Sequence, residues 1–189
     1  MRAEAAGAAA TLRTPRLDLV PGTVEMLRAE IRGPRFLGRV LGVRIPQGWP
    51  PDLYDEPAIR FSLDFLERHP DQASWSFYYF VLRDSPRGVG TAIGVGGFKG
   101  TPADGTVEVG YSVMPTFRRR GFATEAVRGF LNFAFADARV RRVIAETMPD
   151  LTASIGVLDK VGMRFIGPGT EEGTIRYEIE RTERIRVDG

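Results

Sequence analysis

A chain of 189 residues, 43% hydrophobic and 26% charged, has the size and composition of one ordinary globular domain. It holds no cysteine and a single histidine, His69, which excludes disulfides, thiolate metal sites, a cysteine acyl-enzyme and a multi-histidine metal centre. A formal net charge of +2 is a weak basis for nucleic-acid binding, although basic residues gather locally at 118–120, 139–142 and 181–186.

No apolar run is long enough to span a membrane, and the Ala-rich start lacks the apolar stretch of a secretory signal. The expected compartment is therefore the cytoplasm. Residues 1–11 read as a disordered tail, 12–181 as one domain and 182–189 as a basic C-terminal tail.

In chain order, residues 16–20 alternate charge with Leu17 and Leu19, which predicts a short strand. Thr23 can cap a helix through Met26, Leu27 and Ile31. The Gly- and Pro-rich stretch 33–56, with Trp49-Pro50-Pro51, predicts a long loop. Long loops in small domains tend to carry function, so Trp49 and Tyr54 are candidate substrate contacts, with packing as the other reading. Pro57 suits the first turn of a helix that carries Ile59, Leu63 and Leu66 and ends near His69-Pro70. His69 reads as a solvated or capping residue.

Residues 75–82 are aromatic and β-branched, a strand with Trp75, Tyr78 and Tyr79 in the core. A turn at 84–88 leads to a second strand at 90–98, loosened by Gly94, Gly96 and Gly97. A third alternates Val107, Val109, Tyr111 and Val113, which puts Glu108, Gly110 and Ser112 on the opposite face. A helix starting at Gly121 or Phe122 carries the stripe Ala123, Val127, Phe130, Leu131, Ala134 and Phe135. A strand at 142–148 follows, then a short helix at 152–161 with Ile155, Leu158 and Val161 inward. Gly162 sits at its C-cap, and a hairpin of 164–167 with 174–179 closes the chain. The order β-α-α-β-β-β-α-β-α-β-β predicts an α+β sandwich, mostly antiparallel, with one β-α-β crossover after Val113.

The chemistry gathers between Glu108 and Thr124, where a strand runs through a loop into a helix. The first N–H groups of a helix lack internal partners, and the helix dipole favours an anion there. Gly121 admits close backbone approach, Ala123 keeps the next turn open, and Arg118, Arg119 and Arg120 supply positive charge. Together they form a diphosphate cradle; an ordinary turn with a basic patch is the plain alternative. Neither a P-loop nor a dinucleotide fingerprint is present.

Arg118-x-x-Gly121-x-Ala123 resembles the Arg/Gln-x-x-Gly-x-Gly/Ala motif of the GCN5-related N-acetyltransferase (GNAT) superfamily. Glu108-Val109-Gly110-Tyr111, Arg120-Gly121-Phe122-Ala123-Thr124-Glu125-Ala126, Ala145-Glu146-Thr147 and the run from Ala153-Ser154 to Gly162 are similar to its RimJ/RimL-like branch, related to ribosomal-protein alanine N-acetyltransferases. The resemblance covers residues 12–180. It implies a GNAT-like α+β fold: a mixed, mostly antiparallel sheet flanked by helices and splayed after the fourth strand. It implies acetyl-CoA as cosubstrate and no metal. The pantetheine arm would pair with the backbone of Val113 and Met114, and the diphosphate with the backbone of Arg119, Arg120, Gly121, Phe122, Ala123 and Thr124, with Arg118 assisting.

The implied reaction is direct acetyl transfer to a primary amine, either a protein N-terminal α-amine or a small-molecule amine. Glu108 is the candidate base, acting through water, with Glu146 as the alternative and a structural carboxylate as the plain reading. A backbone N–H near Val113 or Met114 is placed to stabilise the oxyanion. Ser154 is the candidate to protonate the departing thiolate, unless it only satisfies the helix start. The chain departs from the pattern at Leu151, where related sequences often carry Asn, and at Leu158, where many carry a tyrosine acid. Met163 replaces the usual Phe. These departures motivate an alternative, a catalytically weak acyl-CoA-binding or sensing module. The basic clusters motivate a third, an RNA-associated protein. No membrane or nucleic-acid partner is expected, and a homodimer is compatible with the pattern.

Overall fold

β-branched and aromatic segments pair into a single eight-stranded sheet, and helices cover both of its faces. The computed structural model describes residues 9–83 and 88–183. Most of the expected N-terminal tail, the turn residues 84–87 and the end of the basic tail lie outside the described residues.

The strands are β1 (Leu12–Arg13), β2 (Leu17–Pro21), β3 (Phe77–Leu82), β4 (Thr91–Phe98), β5 (Thr106–Val113), β6 (Arg142–Thr147), β7 (Arg164–Pro168) and β8 (Ile175–Glu180). Their order across the sheet is β1-β2-β3-β4-β5-β6-β8-β7. Every pair is antiparallel except β5 with β6, which are parallel. That parallel pair requires a crossover, supplied by α4 (Phe122–Ala136). Beneath one face, α4 sends Val127, Phe130, Leu131 and Ala134 against Tyr78, Phe80, Val107 and Val109, joined by Leu158 of α5 (Thr152–Lys160). On the other face, α1 (Val24–Arg32), α2 (Pro34–Leu41) and α3 (Glu56–Arg68) bring Leu27, Leu37, Ile59 and Leu66 against Tyr79, Val95 and Met114. β3 is therefore buried on both faces, and neighbouring aromatic residues along it serve different cores.

The sheet opens at one place. β5 and β6 pair only through Thr106↔Arg142, Val107↔Val143 and Glu108↔Ile144. Beyond Glu108, β5 stays bonded to β4 and β6 stays bonded to β8, so the two strands diverge into a wedge.

Three elements differ from expectation: residues 70–75 form a 3-10 helix, so Trp75 is buried in the core but precedes β3 instead of belonging to it. The stretch 33–56 is not all loop, because Pro34–Leu41 forms α2. Pro34 lies in its first turn and Gly42, at φ 71°, ends it in the left-handed conformation that glycine adopts without steric cost. Residues 12–13 add β1, too short to show a period. Other signals hold: Thr23 accepts from the Met26 N–H, and α3 starts at Glu56-Pro57 behind an Asp55 cap. Among the described residues, no helix is long and apolar enough to cross a membrane.

Candidate active site

After Val113 the chain makes a 3-10 turn at Pro115–Phe117 and enters α4 through Arg118–Gly121. Arg119 holds φ 60°, the left-handed region that costs an L-residue about 1–2 kcal/mol. Gly121 follows at φ 79° and ψ 4°, and Phe122 is already helical. A left-handed residue next to a right-handed one turns successive N–H groups inward, a backbone nest for an anion. None of the N–H groups of Arg119 to Thr124 donates to a partner among the described residues. The first one satisfied is that of Glu125, which donates to the Gly121 carbonyl at 3.0 Å. Arg120 lies over the rings of Phe117 and Phe122, which keeps a cation beside the nest.

The edge of β5 leads to the same point. Alternate residues of an antiparallel strand turn their amides to opposite sides. The Met114 N–H donates to Ile93 on β4 at 2.9 Å, so the Val113 N–H and carbonyl face the wedge. Met114 thus cannot offer its amide to an oxyanion, and that part of the expectation falls to Val113 alone. The Val113 carbonyl accepts from Arg118 Nε at 3.0 Å, while Arg118 Nη2 reaches Asp52 at 2.6 Å. Arg118 therefore ties the strand edge to the α2–α3 connection instead of pointing into the nest. Ser112 Oγ reinforces the tie by donating to the Asp52 carbonyl at 2.6 Å.

The family comparison agrees with this geometry: residues 11–164 match the acetyltransferase (GNAT) domain. The chain belongs to the GNAT acetyltransferase family. It is 27% identical to the N-acetyltransferase YjdG of Bacillus subtilis (strain 168) over 152 residues, 80% of this chain and 88% of that protein. It is 34% identical to the FsC-acetyl coenzyme A-N(2)-transacetylase of Aspergillus fumigatus over 90 residues, 42% of this chain but only 38% of that protein. Among solved structures it is similar in fold to RimL, the ribosomal L7/L12 alpha-N-protein acetyltransferase. The TM-score is 0.61 at 13% identity, covering 90% of this chain and 98% of RimL.

Within this GNAT fold, Glu108 is the last residue of β5 still paired with β6, at the root of the wedge. Its carboxylate is ion-paired with Lys99, whose side chain is 60% exposed. Ser154 lies in the first turn of α5. The Tyr111 hydroxyl donates to the Ser154 carbonyl at 3.2 Å and lies 3.2 Å from its Oγ. Burial pushes the Tyr111 phenol up to about 12, against the smaller opposing effect of the Ser154 hydrogen bond. Tyr111 therefore stays protonated at neutral pH and joins β5 to α5 across the wedge. Alternation along the strand identified it only as an inward residue; its partner lies 43 positions away.

Glu146 is not available as a base. Although burial opposes ionisation, hydrogen bonds from Arg176 and Thr170 and the Arg176 charge hold its carboxyl at about 2. A group so acidic binds no proton at neutral pH, and its oxygens are already occupied by Arg176, Thr170 and Thr174.

Trp49 and Tyr54 are not free walls of an acceptor pocket. They are 8% and 6% exposed and belong to the core under α1 and α3. Trp49 Nε1 donates to Glu30 at 2.6 Å, the Tyr54 hydroxyl at 3.1 Å and the Tyr79 hydroxyl at 2.6 Å. A buried carboxylate cannot be left unsatisfied, and this one is met by three aromatic donors from two distant segments. Desolvation raises the Glu30 pKa above 4.5, and the hydrogen bonds from Tyr79, Trp49 and Tyr54 offset it only in part.

The stability consequence has a definite sign. A raised folded-state pKa stabilises fully below pH 4.5 and loses that stabilisation as the pH rises through the folded value. Chemical denaturation across that interval is expected to show the wild type losing more stability with rising pH than Glu30→Gln. An equal pH slope in both proteins would contradict this account of Glu30.

Proposed function

We propose that this GNAT acetyltransferase, in the manner of the RimJ/RimL-like branch, carries acetyl groups from acetyl-CoA directly to primary amines, with α-amines as the preferred acceptors. The observation that carries the reading is the row of unpartnered N–H groups at the start of α4, opening beside a gap in the sheet. Such a row suits a diphosphate, and an unpaired strand edge suits the amides of a pantetheine arm.

In this reading the nest of Arg119–Thr124 holds the diphosphate, and the edge of Val113 holds the arm. The amine nitrogen attacks the thioester carbon, the C–N bond forms, and the Val113 N–H meets the developing oxyanion. Glu108 takes the amine proton through water. The C–S bond then breaks, and the thiolate takes a proton relayed through the Ser154 hydroxyl, which Tyr111 orients and which recovers its own proton from water. Leu158, which is fully buried, has no proton to give, so Ser154 is the donor on α5.

The preference for α-amines follows from the acceptor's own protonation, since the carboxylate at the site, Glu108, is already ion-paired with Lys99. An α-amine, with a pKa near about 8, is partly neutral at physiological pH, whereas a lysine amine near about 10.4 is almost wholly charged. The fold likeness to RimL, an alpha-N-protein acetyltransferase by name, supports the same choice.

Calorimetry with CoA followed by thiol release with paired acceptors tests the reading. Peptides with a free α-amine are expected to turn over at least about tenfold faster than the same peptides with a blocked N-terminus and a lysine. Absence of CoA binding sinks the proposal. Binding without turnover on any amine would favour an acyl-CoA sensor, the role suggested by Leu151 and Leu158.

A further inference from the structure

On the face covered by α1, α2 and α3, the helices stop short of the wedge. Among the described residues, their core draws on β3, β4 and Met114 and takes nothing from β6, β7 or β8. Val95 belongs to that core and pairs with Ser112, so Glu108, Gly110 and Ser112 lie on the same face at its uncovered edge. Glu108 stands level with Ile144 in the parallel pairing. Two residues further along each strand, about 7 Å into the gap, Gly110 and Glu146 share this face from opposite sides. A Cβ at Gly110 would meet no atom within 4 Å, so the β5 side is open at that level.

The β6 side is closed. Both oxygens of Glu146 accept the Thr170 N–H, at 2.9 and 3.0 Å, and Oε1 also accepts from Thr170 Oγ1 at 2.8 Å. Arg176 donates Nε and Nη2 to Oε1 at 2.9 and 2.7 Å. The turn between β7 and β8 closes on this carboxylate. The Gly169 N–H donates to the Thr174 carbonyl at 2.8 Å, and a Cβ at Gly169 would strike Glu146 Oε2 and Thr174 Oγ1.

The Glu146 side chain is 7% exposed and that of Arg176 29%. Desolvation offsets much of the Coulomb gain of a buried ion pair, so such a pair fixes geometry more than it stabilises. Connecting turns are ordinarily among the more mobile parts of a domain. This one is fastened to a buried carboxylate beside the gap.

We propose that Glu146 is a positioning residue for the acceptor: it clamps the 169–174 turn as one wall of a slot that Gly110 leaves open on the other side. The chain carrying the attacking amine enters between them. The inference rests on the direct-transfer reading above, with Glu108 at the foot of the slot. It gives Glu146 a task other than proton transfer, for which a carboxyl held at about 2 is unsuited.

Steady-state kinetics with an α-amine peptide, beside calorimetry with CoA, tests it. Glu146→Ala is expected to raise the peptide KM about tenfold, with kcat within about threefold and CoA affinity within about twofold. Glu146→Gln keeps an oxygen for the Thr170 N–H and should recover most of that loss. The pH profile of kcat should keep its wild-type form in both. Gly110→Val fills the slot from the β5 side without touching the clamp, and a strand accepts valine readily. It should raise the same KM at least about tenfold. A fall in kcat of about 100-fold in both Glu146 variants, the mark of a lost base, would overturn the proposal. So would a folded Glu146→Ala or Gly110→Val enzyme with the wild-type KM. Either result leaves acetyl transfer itself standing, because wild type still turns over. A wild type that binds CoA but acetylates no amine would overturn both readings.

Discussion

Gly121→Val is expected to weaken CoA binding about 100-fold while leaving the domain folded. Space is not the obstacle, since a Cβ at Gly121 would come no closer than 3.4 Å, to Arg16 Nη2. Conformation is. At φ 79° and ψ 4° an L-residue pays about 1–2 kcal/mol, and a β-branched one pays more. The chain relieves that strain by rotating the peptide before α4, which turns the Phe122 and Ala123 amides out of the nest. Several charge-assisted hydrogen bonds to one diphosphate are then lost together, and two such losses at about 1.5 kcal/mol each already exceed 100-fold. The thermal midpoint should fall by only a few degrees, about what 1–2 kcal/mol costs a domain of this size. A CoA affinity within about threefold of wild type would show that the nest does not carry the diphosphate.

The second large effect is on turnover. Glu108→Gln is expected to lower kcat about 10²–10³-fold with CoA affinity unchanged. A positioned base contributes on this scale, and an α-amine acceptor keeps it at the lower end because part of it is already neutral. The deficit should narrow as the pH passes about 8, where the acceptor no longer needs help to lose its proton. A merely structural carboxylate would give no such narrowing. Folding is not at risk, because Gln keeps the volume of the side chain and the lost ion pair ends on a Lys99 that is 60% exposed, against 18% at Glu108, a contact worth about 1 kcal/mol. A variant that retains kcat within about threefold at pH 7 would remove Glu108 from the reaction.

The range of each interaction decides how much of the molecule was legible in the chain. α4 and its loop could be read because the period of Val127, Phe130, Leu131 and Ala134 and the spacing of Arg118, Gly121 and Ala123 are local patterns. The alternation in β5 likewise placed Glu108 and Tyr111 on opposite faces. Three features were not legible. α2 hid in a Gly- and Pro-rich stretch, although Pro34 and Gly42 are its start and stop signals. Trp49 and Tyr54 looked like free aromatics because Glu30, their acceptor, lies about twenty positions upstream and carries no local sign of burial. The roles of Arg118 and Tyr111 depend on Asp52 and Ser154, partners set by tertiary packing alone.

The short seam between β5 and β6 has a mechanical meaning. Three residue pairs join one half of the sheet to the other at that point, so the halves behave like two leaves sharing a narrow spine. When leaves swing, the spine travels least. Glu108 sits on it, so the carboxylate we propose as proton acceptor lies where any parting of the two halves would displace it least.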